Sequence, residues 1–127
     1  MRLVTFDHVN IHTEDAGRLA SWYERVLGMK PGPRPDFPGI DGIWLYTGDK
    51  AYLHLVEMQG VGRPDIPALE HFSFTAKGLT EFLNILSEIG AEYEFVEVPE
   101  VGLVQVNFCD CDGNHVHIDF PLDEHTA

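Results

Sequence analysis

The chain has 127 residues, of which 44% are hydrophobic, and its 8 Lys and Arg against 21 Asp and Glu give a formal charge of −13 at pH 7. This length suits one ordinary domain, and the hydrophobic content excludes a disordered chain. The acidic surface would repel a polyanion, so we expect no nucleic-acid partner. Because no apolar stretch is long enough for a membrane span and no secretory leader precedes Phe6, we expect a cytoplasmic protein without a membrane partner.

The first half of the chain has the pattern of one strand, one helix and three further strands. In the helical segment Thr13 and Asp15 can cap the start, apolar residues recur at helical spacing, and Gly28 ends the segment. The prolines and glycines between Pro31 and Gly42 predict a long loop, because they disfavour regular ladder pairing. The predicted elements are a strand at Thr5–Ile11, a helix at Asp15–Leu27, a short strand near Met29, and a hairpin of Ile43–Thr47 with Ala51–Met58.

The second half repeats this order after a predicted linker, Gln59–Ala68, that is rich in glycine and proline. The predicted elements are a strand at Leu69–Thr75, a helix at Leu79–Ile89, strands at Glu92–Val98, Leu103–Cys109 and His115–Phe120, and a frayed end at Leu122–Ala127. We therefore expect a single domain over 1–127, with module one at about 4–58, the linker at 59–68 and module two at about 69–121.

Four of the seven histidines form two pairs with the same spacing. His8 and His71 are 63 positions apart, and so are His54 and His117. At the same offset Asp7 meets Glu70, and apolar residues meet apolar residues in the strands and helices. A shared offset indicates an internal duplication. The predicted fold is therefore α+β, with two tandem βαβββ modules that form a curved mixed sheet around a metal-binding cleft.

The period-two alternation of the strands places these histidines on one kind of face. Their neighbours along each strand are apolar and belong to the face that a helix should cover, so His8, His54, His71 and His117 lie on the opposite faces. Converging neutral imidazoles are typical ligands of Zn, Fe, Ni, Co or Cu rather than of Ca or Mg. The alternative is that each histidine faces water or a neighbouring polar group. Octahedral coordination would leave positions open for a substrate, whereas tetrahedral closure would make a structural site.

Other side chains on the same faces are candidates for a substrate pocket and for proton transfer. The pocket candidates are Trp44, Tyr46, Gln105 and Asn107, whose aromatic rings and amides suit a small, partly apolar, oxygenated organic molecule. The catalytic candidates are Asp119 and Tyr52, which lie two positions from His117 and His54. Asp119 could instead be a carboxylate at the rim of the cleft, and the aromatic rings could instead pack between modules or against a second chain. His12 and His115 have no histidine partner at the offset and are interpreted as supporting or surface residues.

Five stretches resemble the vicinal oxygen chelate superfamily, which includes glyoxalase I, methylmalonyl-CoA epimerase, fosfomycin and bleomycin resistance proteins, and extradiol dioxygenases. They are FDHVNI at Phe6–Ile11, WYERVLGMK at Trp22–Lys30, YLHLVE at Tyr52–Glu57, LEHFSF at Leu69–Phe74 and FCDCDGNHVHIDF at Phe108–Phe120. The last is similar to a strand-turn-strand signature, Asp-Pro-Asp-Gly followed by a metal-binding Glu. Here Cys111 stands in place of the proline and His117 in place of the glutamate.

By this resemblance each of the four histidines takes a family ligand position, and the small relatives imply a homodimer. The absence of a carboxylate among the four is a departure, because glyoxalase I, the epimerases and the extradiol dioxygenases are expected to use one. Our first hypothesis is a metal-dependent enzyme that chelates a small substrate and performs lyase or isomerase chemistry through an enolate-like intermediate, with Fe, Zn, Ni, Co or Mn. The alternatives are an Fe(II)-dependent extradiol-type dioxygenase and a metal-free protein that binds a small molecule such as an antibiotic.

Overall fold

A computed structural model describes residues 1 to 126, in which the chain forms two compact units, Met1–Gly62 and a second that begins at Arg63. Each unit contains a four-stranded mixed sheet and a helix that follows its first strand. The predicted α+β class with two βαβββ modules is confirmed. None of the helices within residues 1 to 126 combines the length and the apolar character that a membrane crossing requires.

The elements of the first unit are β1 (Val9–Thr13), α1 (Ala16–Leu27), β2 (Lys30–Gly32), β3 (Gly42–Thr47) and β4 (Lys50–Glu57). The strand order in its sheet is β1-β4-β3-β2, with β1 parallel to β4 and the other pairs antiparallel. The parallel pairing places His54 of β4 beside Asn10 of β1, two residues after His8. His8 itself therefore lies just before the start of β1.

The elements of the second unit are β5 (His71–Thr75), α2 (Leu79–Glu88), β6 (Glu94–Val98), a short 3-10 turn (Pro99–Val101), β7 (Leu103–Cys109), β8 (His115–Pro121) and α3 (Asp123–Thr126). The strand order in its sheet is β5-β8-β7-β6, the same arrangement as in the first unit. The parallel register pairs His71 with His115 and Ser73 with His117. Two histidines thus lie side by side on neighbouring strands.

Carboxylates satisfy the first backbone N–H groups of both long helices. Asp15 accepts a hydrogen bond from Arg18 N at 3.0 Å, and Glu57 Oε1 accepts from Ala16 N at 2.9 Å. At α2, Glu124 Oε1 accepts from Gly78 N and Leu79 N, both at 2.9 Å. An acceptor at these positions stabilises a helix start, since its first N–H groups have no partner within the helix. Glu57 therefore serves α1, on the face opposite His54.

Each sheet packs its apolar face under a helix. In the first unit Leu19 and Tyr23 of α1 are fully buried, as are Leu53 and Leu55 of β4. In the second unit the ring of Phe82 lies 5.5 Å from that of Phe108 and 5.6 Å from that of Phe120, both on strands of the sheet. Burying these faces commits the alternate residues of the same strands, including His54 and His117, to the other side.

The structure corrects three local predictions. The first strand begins at Val9 instead of Thr5, and Lys30–Gly32 pairs with Trp44–Tyr46, so the loop after Pro31 is shorter than predicted. Proline is tolerated in β2 because this strand is at the edge of its sheet. The end of the chain is not frayed up to Thr126: α3 forms there and Glu124 bonds α2, whereas Ala127 lies outside the described residues.

Candidate metal centre

In the first unit three rings form a stack on the face opposite α1. His54 lies between His8, with ring centroids 3.7 Å apart and planes inclined by 11°, and Trp44, with centroids 3.8 Å apart and planes inclined by 12°. Trp44 is the direct cross-strand partner of His54, which explains the second contact. The stack leaves His54 only 9% exposed. Both predicted ligands of this unit are therefore brought together.

The surroundings of the two histidines differ. Burial, followed by the charge of His8, lowers the pKa of His54 and favours its neutral, lone-pair form. His8 is more exposed, and its Nδ1 donates a hydrogen bond to Asp7 Oδ2 at 2.6 Å. That hydrogen bond lowers the pKa of Asp7. Asp7 therefore remains ionised and holds the ring of His8 by one nitrogen.

In the second unit the other two predicted ligands also lie together. The rings of His71 and His117 have centroids 4.6 Å apart. His117 is buried, and its Nδ1 donates to Asp119 Oδ1 at 2.6 Å. His71 Nδ1 contacts Oε2 of Glu70, the residue that matches Asp7 in the repeat. Asp119, predicted as a proton carrier, thus holds a histidine in this structure.

Sequence reasoning missed the part played by Glu70 and His115. His115 Nδ1 lies 3.0 Å from Glu70 Oε1 and 3.2 Å from Oε2, and its Nε2 donates to Asn107 Oδ1 at 2.8 Å. One ligand atom from each of Glu70, His71 and His115 lies within 4.8 Å of the others. The contacts with His71 and then His115 lower the pKa of Glu70. The match of Asp7 with Glu70 in the repeat was a signal for the role of Glu70. The alternation of residues along a strand, however, does not predict the direction of a long side chain.

Three of the four predicted ligands share one arrangement: Nδ1 is bonded to a carboxylate, which leaves Nε2 for another partner. The three are His8 with Asp7, His71 with Glu70, and His117 with Asp119. Histidines that bind metals usually donate their other ring N–H to a carboxylate, carbonyl or water, which fixes the tautomer and the ring orientation. The donor chemistry of these residues therefore fits a divalent transition metal.

The predicted pocket residues occupy different settings. Trp44 stacks on His54, whereas Tyr46 donates its hydroxyl to Pro33 O at 2.5 Å and covers Gly32, where an added Cβ would lie 2.7 Å from its ring. Tyr52 is half-buried on β4, two residues before His54.

In the second unit Asn107 is the cross-strand partner of His117, and Gln105 that of Asp119. A cavity of about 780 Å³ in this unit contains Asn107 and His115 in its wall. Its other lining residues are Ala91, Glu92, Tyr93, Glu94, Phe108 and Cys109. Of the four predicted pocket residues, Asn107 is the one that lines this cavity within the described part of the chain.

Comparison with known proteins decides the family. The family model described as the glyoxalase/bleomycin resistance protein/dioxygenase superfamily matches residues 5–118. The chain belongs to this superfamily. A relative named Glyoxylase I 4 from Arabidopsis thaliana is 27% identical over 125 residues, which cover 93% of this chain and 71% of the relative.

Solved structures from the superfamily share the fold. A glyoxylase/bleomycin resistance protein/dioxygenase domain from Frankia sp. EAN1pec has a TM-score of 0.77 at 21% identity, covering 94% of this chain and 99% of that one. The trypanothione-dependent glyoxalase I of Leishmania major has a TM-score of 0.73 at 17% identity, covering 98% and 91%. The glyoxalase/dioxygenase superfamily includes enzymes such as glyoxalase I, and its members often bind divalent metals. That four histidines bind a metal here, that the chain forms a homodimer and that it is cytoplasmic stay predictions.

Proposed function

We propose that this protein is a metal-dependent enzyme that acts on a small oxygenated organic substrate by lyase or isomerase chemistry. Its proposed metal ligands are His8, His54, His71 and His117. The observation that carries the proposal is the anchoring of Nδ1 by a carboxylate at three of these residues. His125 has a similar contact with Glu97, so the proposal depends on the anchoring together with the positions of these histidines in the repeat. A metal ligand gains orientation and basicity from such a carboxylate.

The anchoring carboxylates occupy two different places relative to the histidines, which strengthens the inference. Asp7 and Glu70 each precede the histidine that they hold, but Asp119 follows His117 by two residues on β8. The same ring nitrogen is engaged each time, so the same nitrogen, Nε2, is left in each ring. His8 and His71 are equivalent positions of the repeat and have the same arrangement, which indicates a shared use of their Nε2 atoms.

The chain's own residues would hold the substrate and handle the proton. When bound, the metal supplies Lewis acidity toward two neighbouring oxygens of the substrate. The Trp44 ring, packed flat on His54, keeps that imidazole from turning. The amides of Gln105 and Asn107, beside Asp119 and His117, can hydrogen-bond substrate oxygens. We propose Asp119 or the Tyr52 hydroxyl as the proton carrier, with Asp119 also orienting His117.

Metal titration of the full chain tests this function. The apoprotein is titrated separately with Fe²⁺, Mn²⁺, Co²⁺, Ni²⁺ and Zn²⁺, and compared with His54→Ala and His117→Ala. We expect saturable binding of at least one of these ions and a loss of affinity of at least about tenfold in both variants. His125→Ala is the matched control, since His125 is also paired with a carboxylate, Glu97, at 2.9 Å but is no proposed ligand. Unchanged affinity in His54→Ala and His117→Ala would contradict their assignment as ligands, and a wild type without saturable binding of any of these ions would favour a protein that binds its small molecule without metal.

A further inference from the structure

Glu70, His71 and His115 form a group whose geometry goes beyond the proposed function. In that function Glu70 only anchors His71, and His115 has no role. Yet the Glu70 carboxylate faces both rings, and one ligand atom from each of the three residues lies within 4.8 Å of the others. All three residues lie in the second unit, at the start of β5 and of its parallel neighbour β8.

The contacts of His115 place one ring nitrogen against the carboxylate. Its Nε2 lies 2.8 Å from Asn107 Oδ1, and its Nδ1 lies 3.0 and 3.2 Å from the two oxygens of Glu70. A divalent cation that replaces the proton between Nδ1 and the carboxylate would be bound by both groups, and that proton would pass to solvent.

The spacing also suits a shared metal ion. Zinc binds imidazole nitrogen and carboxylate oxygen at about 2.0–2.2 Å, so two ligands of one tetrahedral ion are about 3.3 Å apart. The two distances between His115 Nδ1 and the carboxylate oxygens, 3.0 and 3.2 Å, are close to that value. Asn107 would act as the outer partner that orients a ligating histidine. Glu70 and His71 are exposed and His115 half-buried, so water can complete the coordination.

We propose that Glu70, His71 and His115 form a second divalent-cation site that prefers Zn²⁺. It uses Nδ1 of His71 and Nδ1 of His115, whereas the proposed four-histidine set uses Nε2 of His71. The site itself does not depend on the proposed function, but one consequence does. Filling both sites would place cations on both nitrogens of the His71 ring, which must then release its N–H proton to solvent and give up the hydrogen bond with Glu70, so the second cation binds more weakly than the first.

The test is calorimetric titration of the full apoprotein with Zn²⁺ alone. We expect two equivalents in the wild type, and one equivalent in Glu70→Gln and in His115→Ala. Glu70→Gln preserves the shape of the side chain, so it keeps the test valid if His115→Ala is poorly folded. His125→Ala, which removes a histidine from another carboxylate pair of the same unit, should keep both equivalents.

A double variant, His8→Ala with His54→Ala, separates this proposal from the proposed function. The second site should remain in it, with an affinity at least equal to that of the weaker wild-type site. If His115→Ala loses one equivalent of zinc and the double variant loses none, the second site is supported and the four-histidine set is contradicted. The second site would be overturned by a different result: the wild type binds one equivalent of zinc, the double variant loses it, and Glu70→Gln and His115→Ala keep it.

Discussion

At the scale of single residues, the account depends on which nitrogen of each histidine is engaged. The alternation of apolar and polar residues was sufficient to place His54 and His117 opposite the helices, and the structure agrees with that assignment. It could not predict the bond from His117 to Asp119, because the direction of a side chain within its face depends on its rotamer and neighbours. It also could not predict that Glu70 reaches both His71 and His115.

The bond between Asp119 and His117 gives a direct prediction. Asp119→Asn keeps the size of the side chain but removes the charge that fixes Nδ1–H of His117, so metal affinity should fall about 10–100-fold. Competition with a chromophoric chelator measures this change. If metal affinity is unaltered and turnover falls instead, Asp119 is a proton carrier and does not orient His117. Glu97→Gln, which alters the carboxylate partner of His125, is the control and should leave metal affinity unchanged.

The thiol of Cys109 is expected to react slowly. Burial, and then the charges of Asp110 and Glu70, raise its pKa, so less of it is thiolate at any pH below that value. In a Cys111→Ser background it is the chain's sole thiol, since the sequence has 2 cysteines. Its alkylation by iodoacetamide should reach half its maximal rate at a higher pH than a cysteine peptide measured alongside. A midpoint at or below that of the peptide would contradict a raised pKa of Cys109.

At the scale of elements, the sequence predicted the order and type of nearly every segment, and errors lie at segment ends. α1 begins and ends where Asp15 and Gly28 predicted, because both are local capping signals. The strand β2 was predicted near Met29, but the proline-rich composition hid its extent, since an edge strand accepts a residue without an N–H. α3 was missed because its contact, Glu124 with the start of α2, joins residues far apart in sequence.

Gly42, the first residue of β3, gives a prediction at this scale. An added Cβ there would lie 2.2 Å from Leu55 O, so the backbone must shift. Gly42→Ala should lower the free energy of unfolding by about 1–3 kcal/mol, the usual cost of overpacking. At Gly62 a Cβ would meet nothing within 4 Å, so Gly62→Ala should stay within about 0.5 kcal/mol of the wild type. Urea denaturation of both variants measures these values, and equal stabilities would contradict the close contact at Gly42.

At the scale of the whole molecule, the repeat at 63 positions was the most informative feature of the sequence. It predicted two units with the same order of elements, and the two sheets have matching strand orders. The repeat also has limits, because His115 matches Tyr52 and Glu124 has no counterpart in the first unit's helix cap, where Glu57 serves. The two units thus share a fold but differ in some side-chain contacts, and the repeat in the sequence does not predict these differences.

The repeat predicts that substitutions of its paired histidines have similar effects on metal affinity. His8→Ala and His71→Ala remove equivalent carboxylate-anchored rings, so each should reduce affinity for the proposed metal by a similar factor, within about threefold of the other. The weaker, second zinc-binding step should be lost in His71→Ala and kept in His8→Ala. His12→Ala, a change at a histidine that matches Thr75 in the repeat, should have little effect. A large loss in one member of the pair with none in the other would argue against equivalent roles.

Elemental analysis of the full chain, purified without chelator, tests the central claim most directly. We predict at least about one equivalent of Fe, Zn, Ni, Co or Mn per chain, and a clear reduction when His54 and His117 are both changed to Ala. Less than about half an equivalent of every transition metal, with no uptake when these metals are added, would contradict the assignment of a metal-dependent enzyme.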